Sequence, residues 1–193
     1  MSTFTARLAL ALVTATFVGN PASAVDAAGA AMPSGSIYQL AAALTDQAGK
    51  PVGLDVHRGH PVIVTMFYAN CPAACPLLID TIRAVERSLG ERKSSRLRVL
   101  MVTVDPERDT PAALAALAKT RRIDSARWTL AVADPATTRK IAALLSIQYR
   151  KLPDGEFNHS SVLTVLSRDG EILRQSSLLG RADPEIVAAL DPR

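Results

Sequence analysis

The chain has 193 residues, 48% of them hydrophobic, with a formal charge of +4; that is enough apolar material for one ordinary domain with a real core, and too much for a disordered chain. Aromatic residues make up 4%, and the basic residues are scattered, as at Arg83, Arg87, Arg121 and Arg139. A nucleic-acid binder needs a basic stripe with aromatic platforms, so that class is set aside.

Taken in chain order, the first feature is a targeting segment. Arg7 supplies a positive start, residues 8–18 an apolar stretch, Asn20-Pro21 a break, and Ala22-Ser23-Ala24 an A-x-A cleavage site. The expectation is a signal peptide over 1–24, export to the periplasm, and loss of Arg7, which leaves a charge of +3 (4 − 1). The competing reading is an uncleaved segment that anchors the protein to the inner membrane. The apolar run is short against the ~20 residues of a span and carries Thr14, Thr16 and Gly19. A lipoprotein would need a cysteine at the cleavage site, and none is there. Residues 25–36 read as a mobile leader of small residues, and 37–193 as a single domain.

The domain opens on a turn at Asp46–Lys50, expected to join short strands near 37–40 and 52–54 in an N-terminal β-hairpin. Residues 62–69 form the first long buried strand. The window Cys71-Pro-Ala-Ala-Cys75-Pro76 follows, then a helix over 77–89. The charged run 91–98 reads as a solvated loop leading into a second apolar strand over 97–104. Thr110 and Pro111 suit the N-cap and first position of a helix over 112–120. A third strand spans 128–133 and another helix 135–145. Strands over 162–166 and 171–175 flank Arg168-Asp169-Gly170, a hairpin signal, and Asp183-Pro184 starts a last short helix. This alternation predicts an α/β layer structure, with strands parallel where helices connect them. Chemistry in such sheets gathers at the carboxyl ends of strands; Cys71 lies just past one such end and Asp105 just past another. Met66, Met101 and Trp128 read as core.

The two cysteines are the whole complement of the chain. A helix start stabilises negative charge and favours thiolates. In an oxidising compartment two thiols ordinarily form a structural disulfide, but a bridge four residues apart closes a very small loop and stabilises little. A redox-active pair or half of a metal site is the alternative. The three histidines are sorted by position. His57 and His60 precede the first long strand, roughly 25–30 Å from its other end at ~3.3 Å per residue, and read as surface loop residues. His159 precedes the strand over 162–166; if that strand runs antiparallel to the one over 62–69, its start faces the end carrying Cys71. Position alone leaves His159 open as a structural, solvent-exposed or ligating residue. Asp105 likewise reads either as a turn cap or as a carboxylate supporting the site, and Asp109 as support for the helix start at Thr110.

The motifs CPAACP at 71–76, VTVDPERDTP at 102–111 and Phe157-Asn158-His159 before a strand and an Arg-Asp-Gly turn together resemble the Sco (SenC) family. The opening TDQAGKPVGL at 45–54 and HPVIVTMFY at 60–68 are similar too. The resemblance implies a thioredoxin-like fold, a central mixed sheet flanked by helices. It implies one copper held by Cys71, Cys75 and His159, as Cu(I) or Cu(II), and a role in assembling the copper centre of cytochrome c oxidase. The partners expected on that basis are the copper-bearing oxidase subunit, a thioredoxin-like reductase that keeps the Cys71/Cys75 pair from forming a redox-active disulfide, and other copper carriers. The alternative is an enzyme, a thiol–disulfide reductase or thiol peroxidase using the same pair. Three residues between the cysteines, and Ser160-Ser161 where thioredoxins carry a proline, favour copper. The loop at 151–156 is short for the family, which leaves His159 less sheltered, and His60 stands where many members carry lysine.

Overall fold

The computed structural model describes residues 32–71 and 74–191, which belong to one compact unit beginning at Met32. The expected signal peptide lies outside the described residues. The chain enters through a hairpin, β1 (Leu44–Asp46) and β2 (Pro51–Val52), with Leu44 opposite Val52. The Asp46 carboxylate closes its turn by accepting the N–H groups of Ala48 and Lys50, both at 2.8 Å. Gly49, at φ +78°, supplies the left-handed residue. The expected strand at 37–40 is instead a single 3-10 turn, Ile37–Gln39. The reason is Ser36, whose hydroxyl caps the turn at the Tyr38 N–H and donates to the Asp169 carbonyl. Both Ile37 and Tyr38 are buried in this turn. Ser36, read from sequence as the end of the leader, is itself buried.

Three parallel strands form the middle of the sheet. β3 (Val62–Phe67) is buried along its whole length, as a β-branched run covered on both faces should be. α1 (Ala74–Leu89) and the short α2 (Glu91–Ser94) connect it to β4 (Arg98–Thr103). α3 (Pro111–Thr120) leads to β5 (Trp128–Ala133), and α4 (Pro135–Leu144) follows. α1 starts three residues earlier than its apolar pattern suggests, which puts Cys75 in its first turn. It buries Leu78, Ile79, Ile82 and Val85, a stripe at helical spacing. The Thr110 hydroxyl accepts the Ala113 N–H, and the Asp134 carboxylate those of Ala136 and Thr137; each cap precedes a proline at the first helical position.

A separate two-stranded sheet follows, β6 (Tyr149–Lys151) and β7 (Phe157–His159), with Tyr149 opposite His159. Sequence reading had taken this stretch as loop. β8 (Leu163–Leu166) then pairs antiparallel with β3, β9 (Ile172–Ser176) pairs with β8, and α5 (Pro184–Leu190) ends the described chain. The seven-stranded order is β2-β1-β5-β4-β3-β8-β9: a mixed sheet with its helices, of the thioredoxin-like class, carrying the N-terminal hairpin on the β5 side. Met66, Met101 and Trp128 are core residues. His57 is not the surface residue expected. It is half-buried, with Nε2 3.0 Å from the Thr129 hydroxyl, and burial above all pushes its pKa down to about 4. Its place before β3 keeps it from the thiols, as the strand length required.

Candidate metal centre

The antiparallel register settles where His159 goes. Val62 faces Leu166 and Val64 faces Thr164, so the chain entering β8 lies beside the end of β3 that carries the cysteines. The Thr65 hydroxyl, buried in β3, donates to the Val162 carbonyl at 2.7 Å and ties the two ends together. One ligand atom each from Cys71, Cys75 and His159 then lie within 4.8 Å of one another. His57, His60 and Asp105 are not in that group.

The cysteine loop is folded around its own sulfur. The Cys71 N–H donates to the Tyr68 carbonyl at 3.3 Å, and the Cys75 N–H donates to Cys71 Sγ at 3.3 Å. Both residues are buried and stand as thiols, not as a disulfide. The first turn of α1 was expected to favour a thiolate. At Cys75 burial wins, and it pushes the thiol well above its ordinary range, with the neighbouring Cys71 and Asp109 adding to the rise. A cation held there would displace the proton, so metal uptake at this site is coupled to proton release.

His159 is oriented from behind. Nδ1 lies 3.3 Å from the Ser160 carbonyl, which can only accept, so Nδ1 carries the proton of the neutral ring. Nε2 is buried and has no hydrogen-bond partner among the described residues. Burial holds the imidazole below its usual pKa, against a smaller opposing pull from the Ser160 carbonyl. A neutral imidazole fixed through Nδ1, with Nε2 bare and one ring nitrogen within 4.8 Å of both sulfurs, is the arrangement of a metal-ligating histidine. His159, at the end of the hairpin at 149–159, is half-buried. Tyr68 lies edge-on to His159, with ring centroids 5.8 Å apart, and packs on Phe157 at 5.5 Å.

Several supporting residues escape a reading by motif spacing. The Tyr68 hydroxyl donates to Glu156 at 2.9 Å; burial and then this carboxylate raise the phenol's pKa. Asp109 does not serve the helix start. Its carboxylate accepts the Ala69 N–H at 2.9 Å and the Thr103 hydroxyl, joining the ends of β3 and β4 beneath the cysteine loop. Burial raises its pKa. Asp105 is buried and ion-paired with Arg108 through Oδ2, while Oδ1 has no hydrogen-bond partner among the described residues. The sequence signal for Arg108 was only its place inside VTVDPERDTP, that for Tyr68 only its place at the end of HPVIVTMFY, and Glu156 carried none.

The sequence model of the SCO1/SenC family matches residues 33–190. An SCO1 protein homolog of Bacillus subtilis (strain 168) is 25% identical over 132 residues, covering 67% of this chain and 68% of that protein. An SCO2-like protein of Rickettsia prowazekii (strain Madrid E) is 35% identical over 71 residues, 37% of this chain and 34% of that protein; the chain thus spans about a third of that relative's length. Among solved structures, ScoI of Bradyrhizobium japonicum with copper bound superposes with a TM-score of 0.62 at 28% identity, over 77% of this chain and 94% of that one. With a match that runs from before the first hairpin to the end of α5, the chain belongs to the SCO1/SenC family.

Proposed function

We propose that this protein is an exported copper carrier that binds one copper ion through Cys71, Cys75 and His159 and delivers it during assembly of the copper centre of cytochrome c oxidase. The observation that carries the reading is the convergence of one ligand atom each from Cys71, Cys75 and His159 within 4.8 Å, with the His159 Nε2 buried and bare. Thiolate sulfur selects Cu(I), and imidazole nitrogen extends the site to Cu(II). Three donors leave a coordination position for a ligand of the recipient, which suits a cargo site. A structural zinc would want a fourth protein ligand, and Asp105, the nearest sequence candidate, is engaged by Arg108. The copper-bound relative from Bradyrhizobium japonicum supports the same choice of metal.

The reductase alternative fits the burial less well. A thiol that attacks protein disulfides has to be reached, whereas Cys71 is 8% and Cys75 3% exposed. Oxidation of the pair would abolish copper binding, so the carrier needs a reductase partner in an oxidising compartment. Export rests on the segment at 1–24, and no helix among the described residues is long and apolar enough to cross a membrane.

The test is made in cells short of copper. Replacing the wild type by the Cys71→Ser/Cys75→Ser or the His159→Ala form lowers cytochrome oxidase activity, and added copper restores part of it. Full oxidase activity with His159→Ala, or rescue by a small thiol reductant in place of copper, would favour the reductase.

A further inference from the structure

The hairpin that carries His159 belongs to neither edge of the main sheet. Its placement over the thiols therefore depends on what grips it from outside: the exposed Lys151–Glu107 ion pair on β6, at 2.6 Å, and, at the turn, one side chain, Arg108. Arg108 lies in the loop after β4. Its Nε pairs with the buried Asp105 carboxylate. Its Nη2 donates to the Gly155 carbonyl, at the tip of the β6–β7 turn, at 2.7 Å. Nη1 stands 3.9 Å from Glu156, and the guanidinium lies 6.0 Å from the centre of the Phe157 ring. Glu156 in turn accepts from Tyr68, the residue packed edge-on against His159.

We infer that Arg108 is a positioning residue for His159: one guanidinium bridges a buried carboxylate just past the end of β4 to the turn of the histidine hairpin, and so sets how firmly the imidazole is presented to the metal. This rests on the copper reading above. The planar fork of arginine spans two separated acceptors in a fixed geometry, whereas the donors of an ammonium all radiate from a single nitrogen. Asp105 gains a role in the same step, as the rigid anchor of the bridge. A lost grip falls unequally on the two oxidation states. Two thiolates can hold Cu(I) without the hairpin, whereas Cu(II) needs the nitrogen.

The sign of the effect separates positioning from plain electrostatics. Deleting a positive charge near a cation site strengthens cation binding; loosening a ligand weakens it. Arg108→Ala should weaken Cu(II) binding by about tenfold, within the range for losing a group that orients a ligand, and leave Cu(I) binding within about twofold. The thiolate-to-copper absorption of the Cu(II) form should shift or broaden. Arg108→Lys keeps a cation beside Asp105, so the fold is retained, and it should behave like the alanine form. In the metal-free protein, hydrogen exchange at the Leu152 and Ser160 amides, which are bonded within the hairpin and across its base, should accelerate in both variants.

Cu(II) affinity that is unchanged or tighter in Arg108→Ala overturns the inference, as do equal losses for Cu(I) and Cu(II) or full rescue by lysine. If the wild type takes up no copper, the copper reading fails by itself. The exchange measurement on the metal-free protein then decides for Arg108 alone: unchanged rates overturn the inference, faster rates sustain it.

Discussion

His159 is asked to be neutral, fixed and bare at one nitrogen, and each demand is met by a different neighbour. Burial keeps it neutral, the Ser160 carbonyl holds Nδ1, and no polar group among the described residues reaches Nε2. His159→Ala should therefore weaken Cu(II) binding by more than the roughly 10–100-fold that loss of an orienting group costs, and weaken Cu(I) much less. Competition titrations in both oxidation states read this directly, and equal losses would remove His159 from the ligand set. Asp109 sets the other side of the site by holding the Ala69 N–H before the cysteine loop. Asp109→Ala strands that amide and the Thr103 hydroxyl in the interior, at a cost of about 1–3 kcal/mol in the denaturant midpoint; an unchanged midpoint would mean that the two donors find other acceptors. The grouping of Cys71, Cys75 and His159 could be anticipated because cysteines and histidines are few and one histidine falls at the right end of β3, while the family resemblance implied their role as ligands. Arg108, Asp109 and Glu156 could not, because their roles come from side chains crossing between loops distant in sequence. His57 misled for the same reason: its partner, Thr129, lies on β5.

β3, β4 and β5 were legible because each is a continuous apolar run, and α3, α4 and α5 because their caps are written as Thr-Pro or Asp-Pro pairs, whereas the start of α1 and the short α2, within a run read as loop, carry no such pair. The β6–β7 hairpin was not, because Arg150, Lys151 and Asn158 face solvent and only Tyr149 and Phe157 pack inward. Its strands carry no apolar alternation to read. The turn at Ile37–Gln39 was missed because a serine hydroxyl 133 residues away from its partner in sequence decides its shape; Ser36 bonds the Asp169 carbonyl. At this scale the element that matters most to the site is α1, which positions Cys75 by burying its apolar stripe. Leu78 is fully buried one turn below the cysteines. Leu78→Ala should cost about 2–5 kcal/mol through the cavity it leaves, read as a lower urea midpoint with the slope unchanged. A loss under about 0.5 kcal/mol would contradict the packing described, since that is the size expected of exposed positions.

The whole molecule combines a rigid mixed sheet with a site assembled from three separate segments at one end of it, so stability and metal binding are separable. Acid should expose the sheet's weak point at the opposite end. His57 has a folded pKa of about 4 against an ordinary 6.5, through burial first, with the nearby Arg98 and His60 side chains adding to the depression. The unfolded chain binds the proton more readily, so this contribution to stability is whole above about pH 6.5 and is lost as pH falls toward 4. His57→Gln, which can still bond Thr129 without titrating, should flatten the pH dependence of the melting temperature over that window, though not abolish it, because the His159 pKa is lowered in the same sense. An unaltered pH profile would show that His57 is not buried as described. The most direct test of the central claim is an anaerobic copper titration of the reduced protein beside its Cys71→Ser/Cys75→Ser form. The account predicts saturation at one copper per chain in the wild type, with thiolate-to-copper charge-transfer absorption in the Cu(II) form, and loss of tight binding in the serine form. Tight binding that survives both serines would contradict it.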